Sequence, residues 1–180
     1  MLKILKRVSI PCGTSLDAIY RSEVGNYPKF FKMDLLCKLG FLLTEMLVKD
    51  DPDRFTPRRD RAVLMFSRNG SFLNDRNYGD TMVEYPSPAL FVYTLPNIVT
   101  GEIAIRNKYA GETSAFVMEE FNPSLFVETV EEAFQDRDTL SAVVGWIDCR
   151  GEDDYDAYAF LVNRADGIEE FNKDNVIWKI

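Results

Sequence analysis

The sequence predicts an α/β fold, a layered mixed sheet of five strands with interleaved helices, and three observations carry that expectation. Ala62–Phe66 (AVLMF) has no polar residue, as a strand buried on both faces of a parallel sheet requires. The apolar residues from Leu35 to Leu47 cover so wide an arc that a helix there must be enclosed rather than lie on the surface. Strand-like and helix-like stretches follow one another as β-α-β-α-β-α-β-β, with a late antiparallel pair. At 180 residues the chain suits a single domain spanning 1–180.

The elements read in order as follows. Leu2–Ile10 (LKILKRVSI) suits a first strand, stopped by Pro11. Asp34–Val48 is the enclosed helix, ended by the charged KDDPDRFTPRRDR tail with Pro52 and Pro57. After the Ala62–Phe66 strand, SRNGSFLNDRNYGDT reads as a polar linker. Ser87–Lys108 reads mostly as helix despite Pro96, with Gly101 and Ala104 small enough to admit a close neighbour. Gly111 closes that unit and Ser114–Met118 (SAFVM) is the next strand. Ser124, after Pro123, is placed as the cap of a helix over Leu125–Phe134, which sets Phe126, Val130 and Phe134 on one face. Leu140–Cys149 and Asp156–Asn163 form a terminal hairpin across the acidic RGEDDYD turn, and GIEEFNKDNVIWKI has only weak periodicity.

Composition excludes several functions. Hydrophobic residues are 46% of the chain and aromatics 13%, enough for a core and against disorder. A net charge of -8, with no basic tract, argues against nucleic acid, whose phosphates would be repelled. There is no histidine, so the chain has no imidazole ligand and no base titrating near neutrality. Cys12, Cys37 and Cys149 fit neither a disulfide framework nor a zinc site. No apolar run reaches membrane-spanning length, and MLKILKRVSIPCG is too charged for a signal peptide. The expectation is a cytoplasmic protein with no cofactor, no metal and no membrane.

The richest stretch is Ser87–Phe121. Ser87–Pro88, Leu95–Asn97, Gly101, Ile103–Ile105 and Gly111 resemble the helix that precedes the nucleophile strand of a β-ketoacyl synthase. Lys32–Val48, Ala62–Thr81 with Asp75–Tyr78, and Val143–Asp148 resemble other parts of the N-terminal half of such an enzyme, in the same order. The similarity runs over roughly 4–165. It implies a thiolase-like half-domain, the full enzyme being built from two such halves, and a role in fatty-acid or polyketide synthesis. It also implies that the strand before the nucleophile pairs across a dimer axis. Counting forward from Gly111, the resemblance sets Glu120 where the catalytic cysteine would stand, with Glu119 before it and Phe121 after. A carboxylate cannot hold an acyl thioester, and the family's histidines belong to the second half. Condensation by these residues alone is therefore excluded.

These observations favour a non-catalytic ketosynthase-like accessory or structural subunit, forming a homo-oligomer or a hetero-oligomer with a full ketosynthase. The alternatives are a protein that binds, hydrolyses or decarboxylates an acyl thioester through Glu120, and a degenerate fragment without activity. Glu119 and Glu120 themselves read either as a like-charge pair with one raised pKa or as helix-capping and solvent-facing groups. Cys12 is the most exposed thiol by position, with Cys37 and Cys149 buried and inert. Glu152, Asp153, Asp154 and Asp156 read as a hard-cation site or, more simply, a solvated hairpin tip. Arg58, Arg59 and Arg61 read as a solvated loop or as a docking point for an acidic acyl carrier protein.

Overall fold

Side chains on the strand β2 (Arg61–Ser67) part to opposite sides, and two separate cores form on them. Val63 and Met65 join one core, and Ala62, Leu64 and Phe66 the other. The same alternation runs along β4 (Ser141–Gly151), where Val143 and Ile147 oppose Ala142, Val144 and Trp146. It continues along β5 (Asp154–Asn163), with Ala159 and Leu161 against Phe160 and Val162. The period of two that sends successive side chains to opposite faces is thus filled with apolar residues on both. This computed structural model describes residues 1–177.

The remaining strands are β1 (Lys3–Ser9), β3 (Thr113–Val117) and β6 (Glu169–Glu170). The sheet order is β3-β2-β4-β5-β1-β6. β3, β2 and β4 run parallel, while β5, β1 and β6 join antiparallel. Among the described residues the sheet has six strands rather than five, since two charged residues of the weakly periodic C-terminal segment pair with Lys3 and Ile4. Trp178–Ile180, the end of that segment, lie outside the described residues.

Helix α2 (Leu35–Val48) lies on the first face with α1 (Leu16–Glu23) and α5 (Ile98–Asn107). Asp34 caps α2 by accepting from the Cys37 N–H at 3.0 Å. Helix α6 (Pro123–Ala133) covers the second face with Phe126 and Val130, and Phe171 and Val176 of the C-terminal segment complete it. The chain therefore supplies cover for both faces of its own sheet.

Several elements differ from the sequence reading, each for a local reason. The cap of α6 is Asn122, which accepts from Leu125 N–H at 3.1 Å, not Ser124. Pro123 takes the first helical position, where its missing N–H costs nothing, so the cap must precede it. Ser87–Lys108 breaks into α4 (Pro88–Phe91) and α5, because Pro96 and its predecessor cannot continue a helix. The polar linker holds a helix, α3 (Phe72–Thr81), which lacks the apolar stripe that marks helices in sequence. Close helix packing occurs at Gly40 rather than Gly101: a Cβ on Gly40 would meet Val99 Cγ2 at 2.3 Å, whereas one on Gly101 meets nothing within 4 Å.

Gly40→Ala is expected to destabilise by about 1–3 kcal/mol through overpacking against the stiff Val99. Gly101→Ala, at an open mid-helix site, is expected to be neutral or stabilising by up to about 1 kcal/mol. Urea unfolding of the two variants checks the contrast.

Candidate functional site

The turn between β3 and α6, which the resemblance sets against the nucleophile turn of a condensing enzyme, carries Glu119, Glu120 and Phe121. Both glutamates are exposed, and among the described residues neither makes a hydrogen bond or an ion pair. The first-turn amide that a carboxylate could have taken is occupied by Asn122. Phe121 turns inward. Its ring meets Trp146 at 5.2 Å, Phe126 at 5.3 Å and Tyr158 at 5.7 Å, all edge-on. Such T-shaped contacts add to the burial of the ring itself. The turn is fixed by an aromatic cluster and shows its acids to solvent.

A groove of about 600 Å³ opens beside that cluster, lined by Ile10, Pro11, Cys12, Phe121, Trp146 and Tyr158 among others. Glu119 and Glu120 do not line it. Cys12 does, and its Sγ donates to the Asp153 carbonyl at 2.7 Å. Cys37 and Cys149 are buried, and burial is the main cause that pushes both thiols well above their ordinary range. A second concavity, about 380 Å³, lies between the start of α2, α3 and the hairpin tip, lined by Asp34, Ser71, Asn74 and Glu152. Burial raises the Asp34 carboxyl above its usual value, against its cap bond to Cys37.

At the C-terminal end of the parallel strands, Asp148 organises the loop that leaves β2. Its Oδ1 accepts from the Asn69 N–H at 2.8 Å and the Arg68 N–H at 3.1 Å, and the Asn69 side-chain amide donates to both carboxylate oxygens at 3.0 Å. Only 3% of Asp148 is exposed. A carboxylate so enclosed is held by the donors around it.

The three arginines do not form a solvated patch. Arg61 is buried, bonded to Asp51 at 2.6 Å and to the Tyr109 hydroxyl oxygen at 3.0 Å. Arg58 pairs with Asp60 at 2.8 Å and with Asp51. Of the three only Arg59 is exposed. The hairpin tip is tied by Arg150, which reaches Asp156 at 2.6 Å and Asp154 at 2.7 Å, and those bonds raise its pKa. Among the described residues no group of three or more Cys, Asp or Glu is placed to hold a metal ion. Nor is any described helix long and apolar enough to cross a membrane.

Two buried acids escaped the sequence reading. Glu45, 1% exposed on α2, is paired with Arg54 and Arg106, and both guanidinium groups stack on Phe55. Glu102 on α5 holds Lys29 Nζ at 2.6 Å and accepts from the Tyr93 hydroxyl at 3.4 Å. Glu45 leaves one trace in sequence: it is the only charged residue between Lys38 and Lys49, inside a helix that must be enclosed.

No protein-family model matches the sequence, and no curated protein matches it. Solved structures do. The ishigamide ketosynthase/chain length factor superposes with a TM-score of 0.65 at 17% identity, over 85% of this chain and 48% of that one. The fold is a ketosynthase fold. A chain from the complex of a ketosynthase with its chain length factor from Xenorhabdus doucetiae gives 0.63 at 16% identity, over 92% of this chain and 80% of that one. The ketosynthase of module 1 of the bacillaene synthase from Bacillus amyloliquefaciens gives 0.58 at 14% identity, over 91% and 42%. This chain thus spans less than half of two of these ketosynthase-fold proteins. It covers most of the third, whose matched chain is only slightly longer than this one.

Two measurements follow from the site. Native protein is expected to react with a thiol reagent at one cysteine, with labelling abolished in Cys12→Ser and all three thiols reacting after denaturation. Asp148→Ala, which orphans the Arg68 and Asn69 amides, is expected to cost about 3 kcal/mol in urea unfolding.

Proposed function

We propose that residues 1–180 form one thiolase-like half-domain, and that this domain is a non-catalytic subunit of a fatty-acid or polyketide-type synthase, working beside a complete ketosynthase. The observation that carries the reading is the β3–α6 turn. The resemblance aligns it with a ketosynthase nucleophile turn, and it presents Glu119, Glu120 and an inward Phe121, with neither thiol nor imidazole. Claisen condensation needs a nucleophile to carry the acyl group and donors to stabilise the enolate, and the turn offers neither. A short matched chain in a ketosynthase–chain length factor complex supports a subunit of this size in such an assembly.

A second reading is favoured by the groove beside Phe121. Its volume is within the range of small-ligand sites, and aromatic rings form much of its lining. It would bind an apolar acyl chain without chemistry from Glu119 or Glu120, which do not line it.

Purified protein is expected to show no turnover of malonyl or acyl thioesters above background, and Glu120→Gln no change. Co-expressed with a ketosynthase from its own genome, it is expected to be recovered as a complex. Turnover lost in Glu120→Gln would falsify the non-catalytic reading, as would failure to associate with any ketosynthase of that genome. Quenching of Trp146 by long-chain fatty acids, absent in Trp146→Phe, reports the second reading.

A further inference from the structure

The concavity between α2, α3 and the β4–β5 hairpin tip shares no lining residue with the groove beside Phe121. At about 380 Å³ it has the size of a small-molecule site. Leu16, Leu35, Leu73 and Leu90 give it an apolar wall. Acceptors occupy two places along that wall. Asp34, half-buried, and Asn74 form the enclosed set, while Glu152 and Asp153, both exposed on the hairpin tip, form the outer one. Asn74 separates this place from an ordinary cluster of acids. Only 4% of it is exposed, and its Nδ2 donates to the Leu90 carbonyl at 2.9 Å. That bond fixes which end of the amide is which, and Oδ1 accepts nothing among the described residues. Glu102 Oε2 and Asn107 Oδ1 also lack partners, but they are sealed in the interior. Asn74 Oδ1 is not sealed, and the concavity is the space that Asn74 borders. An enclosed carbonyl oxygen left open in this way calls for a donor.

The charges around it require that donor to be a cation. Asp34 spends Oδ1 on the Cys37 N–H, and among the described residues no lysine or arginine pairs with Asp34, Glu152 or Asp153. Arg150, beside the tip in sequence, is committed to Asp154 and Asp156. Among the described residues Lys38 is the one cation bordering the concavity, and its Nζ lies over the Phe30 ring, 5.7 Å from the centroid. An anion would meet three carboxylates here, and the α2 amide best placed to hold it is taken by Asp34. Burial disfavours the ionised form of Asp34, a cost that a bound cation would relieve.

We propose that this concavity binds a linear aliphatic diamine, with one ammonium on Asp34 and Asn74, the other on Glu152 and Asp153, and the methylene chain along the leucines. An ammonium group has three donors and no acceptor, which suits a place that offers carboxylates and an open amide oxygen. A bare metal ion would have no use for the apolar wall between the two sets of acceptors. The binding proposed here is independent of the subunit reading above.

Titration of the full chain with 1,6-diaminohexane, followed by ligand-observed NMR at about 0.15 M salt, tests the assignment. The diamine is expected to bind saturably, n-hexylamine about tenfold more weakly, and hexanoate not at all. Asp34→Asn keeps a good capping side chain on α2 and is expected to weaken the diamine about tenfold. Glu152→Gln combined with Asp153→Asn is expected to bring the diamine down to the level of hexylamine. Lys38→Met, which removes the competing cation, is expected to tighten it. Glu131→Gln, at an exposed acid on α6, registers diffuse attraction to the net charge of -8 and is expected to change nothing. Absence of diamine binding, hexylamine binding as tightly as the diamine, or equal binding by wild type and Asp34→Asn overturns the proposal. So does a loss in Glu131→Gln as large as that in the hairpin-tip variant. The hairpin-tip residues are exposed, so that variant decides the matter even where Asp34→Asn fails to fold.

Discussion

Two-sided burial of β2 and β4 is the constraint from which the rest of the structure follows. Each strand carries apolar side chains in both directions, so neither face of the sheet can meet water without a large loss of hydrophobic stabilisation. One face is covered by α2, pressed close against α5 through the missing side chain at Gly40. The other is covered by α6 and by Phe171 and Val176, with Phe126 at the centre of a ring cluster. Because α6 must lie on that second face, the turn that feeds it from β3 must bend inward. Phe121 is the residue that makes the bend an apolar one. At this turn the chain spends an aromatic side chain on packing.

Charges in this chain act as ties between elements. Glu45 collects Arg54 from the loop after α2 and Arg106 from α5, and Asp51 collects Arg58 and Arg61 at the start of β2. Asp148 does the same for the loop at the other end of that strand. Paired buried ions of this kind add less to stability than their number suggests, since desolvation offsets much of the attraction. Their value is geometric: each holds an irregular segment against a regular one. That use of arginine also explains why the Arg58–Arg61 cluster offers little to an acidic partner.

The elements legible in sequence were those with strong patterning. AVLMF and the Leu35–Leu47 run could be placed because an all-apolar segment has few alternatives, and the hairpin because its two strands flank an acidic turn. α1, α3 and β6 were not legible: α1 is short, α3 has no apolar stripe, and β6 is two charged residues defined only by its pairing with β1. The cap of α6 was misplaced by two residues because Ser124 and Asn122 are both good caps, and only the position of Pro123 separates them. At the site, the strand before Glu119–Phe121 and the helix after it were readable from patterning. The inward aim of Phe121 was not, since its partners Trp146 and Tyr158 lie far along the chain.

The pairing of β1 has a consequence for synthesis on the ribosome. Among the described residues Lys3–Ser9 pairs only with Asp154–Asn163 and Glu169–Glu170, so this strand waits until those later segments have been made. Until then Ile4, later buried in one core with Phe160, is exposed. Closing so long a loop carries an entropic delay that local helices such as α2 do not face. Docking of β1 thus belongs among the late events of folding, after α2 and the β4–β5 hairpin, whose contacts are local, have formed.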